Sequence, residues 1–252
     1  MSRFKDKVVI ITGGGRGIGK VLAKSFAREE ALLAICSRTK KQIDEVAEEC
    51  AKDGHKILSI PCDVSKQDEV EKLVKEVMKE YNRVDILINC AGSFMMSPSL
   101  LTDISEINAM YNNNYLGTFL MSQAVGRIMI AQGYGKIINM ASLLSFIAFP
   151  ERASYAASKG AVLQLTRVLG VEWADKGINV NAIAPGMIKI ETPHPIDKTE
   201  FTSKIEQRVP AKRVGTPNDI VGPIFFLASE DSNYINGQTI VVDGGWLSYG
   251  YL

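Results

Sequence analysis

Val8-Val-Ile-Ile-Thr12 runs directly into Gly13-Gly-Gly15-Arg16-Gly17-Ile18-Gly19, and the reading of this stretch decides the fold. The first five residues form a short continuous apolar run, the mark of a strand covered on both faces. Beyond the glycines, Ile18, Val21, Leu22 and Phe26 recur at helical spacing. Strand, glycine loop and helix together are the context of a phosphate-binding turn. Glycines let the backbone approach a pyrophosphate, and the helix start offers free N–H groups and a positive dipole end. The spacing is Gly-x-x-x-Gly-x-Gly, not Gly-x-Gly-x-x-Gly, so its placement between strand and helix carries the argument. Gly13, Gly15, Arg16, Gly17, Ile18 and Gly19 are therefore expected to touch a dinucleotide.

Outward from this unit the pattern repeats. Apolar runs at 32–36, 57–60, 84–88, 135–142, 179–184 and 238–242 read as six further strands. Helical patterns lie between them, with Thr39-Lys-Lys-Gln42 reading as a capping box, Ser65 as an N-cap, and Thr216-Pro217 as a cap followed by the first helical residue. Strict alternation predicts a Rossmann-like, doubly wound α/β fold: a parallel seven-stranded sheet with helices on both faces, one domain over 1–252. Two helices, 102–113 and 114–131, follow an apolar loop at 93–101. Asn112-Asn113-Asn114 marks a break or a functional role between them, because Asn is a mediocre helix former. The helix 155–173 is apolar almost all round, so one side can meet the sheet and another a second subunit.

Composition excludes several classes. The chain has 252 residues, 46% hydrophobic and 23% charged, with a net charge of +1 and interspersed signs, so no basic field for nucleic acid stands out. No apolar run reaches the roughly 20 residues of a membrane span. The first residues lead straight into a strand with no signal-peptide pattern, which predicts a cytoplasmic protein. Cys36, Cys50, Cys62 and Cys90 sit singly and read as buried free thiols. His55 and His194 are too few and too far apart for a zinc site, so no metal is expected.

In doubly wound sheets, ligands bind beyond the carboxyl ends of the strands. Ser37 and Arg38 fall at such an end, where an NAD-binding version carries a carboxylate for the ribose 2′-OH. A neutral Ser removes repulsion against a 2′-phosphate, and Arg38 offers it a guanidinium fork, with Arg16 as a second positive charge. NADP is expected over NAD; the alternative is that Arg38 is a solvated surface charge. Asp63 and Val64 end the third strand, where Asp63 can accept from an adenine amino group. Asn89, Ala91 and Gly92 end the fourth, the last two small enough for close approach and Asn89 suited to tying strands together. Pro185, Gly186 and Ile188 end the sixth. Ser142 closes the fifth, and Tyr155 and Lys159 stand four apart, one turn above each other on a helix. A nearby ammonium favours the phenolate, so Lys159 is expected to lower the Tyr155 pKa.

With Thr12-Gly13-x-x-x-Gly17-x-Gly19, Asp63, Asn89-x-Ala91-Gly92, Asn114-x-x-Gly117-x-Phe119, Ser142, Tyr155-x-x-x-Lys159 and Pro185-Gly186 in place, the chain resembles the compact short-chain dehydrogenases/reductases from Lys7 to Trp246. The resemblance implies an NADP(H)-dependent enzyme interconverting a carbonyl and an alcohol, with Asn114, Ser142, Tyr155 and Lys159 as the catalytic set. Tyr155 would exchange the proton and Ser142 would polarise the oxygen. Lys159 would also hold the nicotinamide ribose, and Asn114 would position a water leading protons to Lys159. Two departures stand out. Cys90 replaces an Asn, and Ile190 stands where the family commonly carries a Thr, with Thr192 two residues later as a candidate carboxamide contact.

Phe94, Leu143, Leu144, Phe149 and Met187 are candidates for a substrate pocket, with 188–210 as a mobile lid. Arg152, with Lys189, could receive a carboxylate, as in a keto-sugar acid; a surface or interface ion pair explains Arg152 equally well. The expected substrate is a small ketone, keto-sugar or sugar acid, and the expected assembly a homotetramer or dimer through helices around 114–131 and 155–175. A 3-ketoacyl carrier-protein or CoA reductase is the alternative, although residues 128–135 carry none of the basic side chains that an acidic carrier would need. A silent dinucleotide-binding regulator is the remote one.

Overall fold

The computed structural model describes residues 2–190 and 199–250. Seven parallel strands form one sheet in the order β3-β2-β1-β4-β5-β6-β7: β1 Val8–Thr12, β2 Leu32–Ser37, β3 Ile57–Pro61, β4 Ile86–Asn89, β5 Gly135–Met140, β6 Ile178–Pro185 and β7 Thr239–Val242. Every pairing is parallel, and the chain reverses its direction of travel across the sheet between β1 and β4.

Period-two alternation within the strands divides the core. Val9, Ile11, Leu33, Ile35, Ile86 and Ile88 face one layer of helices, α1 (Gly17–Arg28), α2 (Lys40–Lys52) and α8 (Asn218–Ala228). Val8, Ile10, Ala34, Cys36 and Leu87 face the other, α3 (Gln67–Tyr81), α5 (Gly117–Gln132) and α6 (Ala153–Glu172). Both faces are thus covered, which is why the strands read as unbroken apolar runs. Cys36, Cys50 and Cys62 are buried and Cys90 partly so, all as free thiols.

Local expectations at helix starts fare less well. Thr39 precedes α2 but makes no side-chain cap. Ser65 does not cap α3, which begins at Gln67; its hydroxyl is spent on Asp63 Oδ1 at 2.7 Å. Helix α8 starts at Asn218, with the Asp219 carboxylate accepting from the Thr216 amide (2.7 Å) and hydroxyl (2.9 Å). The predicted strand over 135–142 ends at Met140, because Ser142 already turns into a short helical stretch, Leu143–Ser145.

The asparagine triplet is where the structure departs most from regular helix. Between α4 (Ile104–Tyr111) and α5, residues Asn112–Leu116 form a single π-helical turn. Such turns are rare and concentrate at functional sites. Here the turn carries a fully buried Asn114.

Candidate active site

Two cavities open at the carboxyl ends of the strands and share Ile18, Phe94, Met140, Tyr155, Lys159 and Ile190 in their walls. The first, of about 660 Å³, begins at the β1–α1 loop with Gly13, Gly15, Arg16, Gly17, Ile18 and Gly19. It passes Ser37, Arg38, Asp63 and Val64, then Ala91 and Gly92, and ends at Tyr155 and Lys159. Gly13 holds a left-handed φ of +69°, and a Cβ there would lie 2.9 Å from the Ala91 Cα, so this close approach of two loops needs glycine. The Thr12 hydroxyl locks the same junction by accepting from the amides of Cys90 (3.0 Å) and Ala91 (2.9 Å).

Burial pushes the Asp63 carboxyl up, but hydrogen bonds from Ser65 and the charge of Arg38 outweigh it, leaving Asp63 below the usual carboxylate range. An anionic acceptor at the third strand end and the Arg16 and Arg38 side chains in the same wall as Ser37 make a donor and acceptor set that fits a dinucleotide. Asn89 is placed differently from the expected cofactor contact. It is buried away from the cavity walls, where its Nδ2 donates to Ser122 Oγ and Asn139 Oδ1, both at 2.9 Å, tying strand to strand and to α5.

Helix α6 presents Tyr155 and Lys159 on one face, the Lys159 ammonium 5.9 Å from the Tyr155 ring centroid. Ser142 hydrogen-bonds Tyr155. The Ser145 hydroxyl donates to the Lys159 carbonyl at 2.9 Å and accepts from the Ser142 amide at 3.2 Å, so one side chain fixes the strand end against the helix. Ser145 was not singled out from the sequence, although its spacing from Ser142 is that of a reciprocal cap.

The electrostatics differ from the expectation that Lys159 lowers the Tyr155 pKa. Burial holds Tyr155 above its ordinary value, opposed by the hydrogen bond from Ser142. Lys159 Nζ donates to the Met140 carbonyl at 2.7 Å, and burial brings its pKa down to about 8. The site therefore holds a neutral phenol beside an ammonium close to losing its proton.

This depression has a measurable consequence for the cofactor-free protein. Between about pH 8 and the unfolded lysine value of about 10.4, the unfolded chain binds more protons at this residue, so stability rises with pH. From about pH 8 to pH 9 the contribution is about 1 kcal/mol. Urea melts at the two pH values should show that rise in wild type relative to Lys159→Met; parallel pH dependence of the two proteins would refute it.

Asn114 lies behind Gly92. Its Oδ1 accepts from the Ser93 amide at 2.8 Å, and its Nδ2 donates to the Ser93 carbonyl at 3.0 Å and Ser158 Oγ at 2.9 Å. It is thereby tied to the residue preceding Lys159. A Cβ on Gly92 would stand 3.0 Å from Asn114 Oδ1 and 3.6 Å from Lys159 Nζ, which places all three groups at one point.

The second cavity, of about 680 Å³, is lined by all of the expected substrate-pocket residues: Phe94, Leu143, Leu144, Phe149, Arg152 and Met187. Pro185, Gly186 and Ile188 line this cavity too, not the nucleotide end. Its roof joins the stretch expected as a lid to Trp246, which the sequence did not point to. Ile205 on α7 (Thr199–Arg208) and Trp246 beyond β7 pack with Leu143 and Leu144 in one apolar cluster, and Phe149 meets Trp246 edge-on at 5.6 Å. A Trp just after Asp243-Gly-Gly was the available signal. Lys189 is exposed and does not line the cavity; the second lysine in the wall is Lys204. Thr192 and His194 lie outside the described residues.

Comparison with known proteins agrees with this architecture. Residues 13–247 match the family model described as enoyl-(acyl carrier protein) reductase. A 2-dehydro-3-deoxy-D-gluconate 5-dehydrogenase from Dickeya dadantii is 41% identical over 97% of each chain. The chain belongs to the short-chain dehydrogenase/reductase family. Membership makes it an NAD(P)-dependent alcohol dehydrogenase or carbonyl reductase. Among short-chain dehydrogenases of known structure, a gluconate 5-dehydrogenase from Burkholderia cenocepacia, solved with NADP and tartrate, superposes with a TM-score of 0.93 at 37% identity, covering 98% of both chains. An NAD-dependent glycerol dehydrogenase from Listeria innocua is 35% identical over 96% of this chain and 94% of its own. Among the described residues no helix is long and apolar enough to cross a membrane, and no group of three or more His, Cys, Asp or Glu side chains is placed to hold a metal.

Proposed function

We propose that the protein is an NADP(H)-dependent oxidoreductase interconverting a carbonyl and an alcohol on a small sugar acid or related keto compound, with Tyr155 as its acid/base. The observation that carries this reading is the meeting of a cavity lined by the glycine loop and an apolar cavity at Tyr155, with Ser142 and Lys159 beside it. When bound, the nicotinamide supplies the hydride donor or acceptor. Arg16, Ser37 and Arg38 hold its 2′-phosphate end, Asp63 and Val64 the adenine, and Ala91, Gly92 and Lys159 the nicotinamide side.

In the reducing direction the buried, protonated Tyr155 donates its proton to the substrate oxygen as charge develops there, while the Ser142 hydroxyl donates a hydrogen bond to the same atom. In the oxidising direction Tyr155 first gives its phenolic proton to the neutral form of Lys159, which its depressed pKa makes available, and the phenolate so formed accepts the alcohol proton. Asn114 keeps the relay in place by fixing Ser93 and Ser158. Leu143, Leu144, Met187, Ile205 and Trp246 exclude water from the reacting carbon. Of the expected lid over 188–210, residues 191–198 lie outside the described residues; we assign the described remainder to closing this cavity, supported by Ile190 and Ile205 in its walls.

Substrate choice follows the sugar-acid dehydrogenases among the relatives and the cavity's modest volume. NADP is preferred over NAD because Ser37 and Arg38 stand where a carboxylate would repel a 2′-phosphate. Val168 and Val171 on α6 and Ile130 on α5 leave apolar side chains exposed, which supports assembly into a homotetramer or dimer through the helices around 114–131 and 155–175. We place the enzyme in the cytoplasm.

The test is cofactor absorbance during incubation with NADP(H) or NAD(H) and a panel of sugar acids, keto-acids, diketones and polyols. Turnover of a sugar acid or its keto form is expected; cofactor binding with no turnover across the panel would favour the silent regulator. Arg38→Leu is expected to reduce the preference for NADP over NAD by roughly tenfold to hundredfold, the loss of charge-assisted hydrogen bonds to phosphate. An unchanged ratio would overturn the assignment of Arg38.

A further inference from the structure

Arg152 is an unusual neighbour for an apolar cavity. Its side chain is only 11% exposed, yet its nearest carboxylate, Glu151 Oε2, stands 3.9 Å away on a half-exposed side chain. Nη1 donates to the carbonyls of Pro150 (3.2 Å) and Glu151 (3.4 Å); among the described residues, Nε and Nη2 have no acceptor. The guanidinium lines the cavity wall. Nε and Nη2 are therefore donors that an anion entering the cavity can engage, and charge-assisted hydrogen bonds to a guanidinium fork are among the stronger ones a site can offer.

The backbone around it is bent to aim it. Glu151 holds φ +62°, a left-handed conformation that a residue with a Cβ adopts only under constraint, and its carbonyl is pinned by the Ser97 amide at 3.0 Å. This kink separates the 150–151 turn from the start of α6 and sends Arg152 inward beneath the Phe94 ring. The guanidinium carbon lies 5.3 Å from the Phe94 centroid, and Phe94 meets Tyr155 edge-on at 4.9 Å. Phe94 thus spaces Arg152 from Tyr155 by at most about the sum of two ring contacts, a span covered by a few carbon atoms. The other charged groups in the wall are Lys159, Lys204 and Glu151, so positive charge predominates.

We propose that Arg152 is the substrate-specificity determinant of this cavity, receiving the carboxylate of a short-chain hydroxy or keto acid through its Nε and Nη2 donors, which no acceptor among the described residues takes, while the acid's reacting carbon faces Tyr155. The fork matches both carboxylate oxygens, which a single lysine does not. Phe94 stacks against the guanidinium and sets its distance from the reacting centre. The proposal takes from the proposed function only the position of the reacting carbon, so its test reads binding and not turnover.

Calorimetric titration with D-gluconate and with D-sorbitol, which carries a hydroxymethyl group in place of the carboxylate, separates the charged contact from the polyol contacts. With NADP present, wild type is expected to bind gluconate more tightly than sorbitol. Arg152→Gln should weaken gluconate by roughly tenfold to hundredfold and leave sorbitol unchanged. Arg152→Lys, which keeps the charge without the fork, should fall between them, and decides the matter alone if the Gln variant does not fold. Wild type without a preference for gluconate, or variants that weaken both ligands equally, would overturn the proposal. A gluconate preference abolished by these variants in a protein that turns over no sugar acid would uphold it and remove the proposed function instead.

Discussion

Tyr155→Phe is expected to lower kcat by about a thousandfold while leaving NADPH affinity and the melting temperature close to wild type. The substitution deletes one oxygen and with it the proposed acid/base group, and positioned acid/base groups contribute roughly 10²–10⁴-fold. The ring stays, so its edge contact with Phe94 and its place in the wall between the two cavities survive. Ser142 loses a partner, but its hydroxyl still accepts from the Leu144 amide at 3.2 Å. Steady-state kinetics on whichever substrate the panel identifies, with NADPH fluorescence titration as the control, checks this. A variant retaining more than about a tenth of wild-type kcat would assign the proton to another group.

Gly19→Ala is expected to abolish measurable dinucleotide binding and to lower stability by about 3 kcal/mol or more. The first turn of α1 packs against the loop that precedes it so closely that a Cβ on Gly19 would fall on the Gly13 carbonyl oxygen, with the Gly13 carbon at 2.8 Å. The obstacle is backbone, so no rotamer change relieves it, and overpacking of this kind costs about 1–3 kcal/mol or more. Either α1 withdraws from the loop or the Gly13 peptide turns, and both disturb the amides that would face a pyrophosphate. Gly222→Ala is the control, since a Cβ there meets nothing within 4 Å and a helical alanine is favoured by roughly 1 kcal/mol. Urea melts and NADPH titration of the two variants should diverge; normal NADPH affinity in Gly19→Ala would refute the argument.

The fold was legible because its signals are local. Val8–Thr12 reads as buried on both faces from five residues, and alternation of strand and helix gives the parallel sheet covered on both sides, whereas the strand order that sets β4 beside β1 came from the structure. The Tyr155–Lys159 pair was legible from helical spacing only together with Ser142, Asn114 and the glycine loop, since a Tyr and a Lys four apart are common in any helix. The Asn112–Asn114 triplet signalled a disturbance, and Asn114 sits inside a π-helical turn. Helix starts were less legible, because Ser65 and Thr216 found a carboxylate partner where a cap was expected.

The sequence by itself determined the strand alternation, the glycine loop with its charged rim at Arg16 and Arg38, and the residues gathered at the strand ends. Periodicity and spacing suffice for these, since each is decided by neighbours a few positions away. Only the tertiary structure decided the state and surroundings of the site. Desolvation belongs to the assembled core, so burial, not spacing, keeps Tyr155 protonated and sends Lys159 to the Met140 carbonyl. The cavity roof joins Ile205 and Trp246 to Leu143 across long stretches of chain. Lys204 in place of Lys189 and Arg152 in the cavity wall beside the left-handed Glu151 are likewise consequences of contacts between residues far apart in sequence.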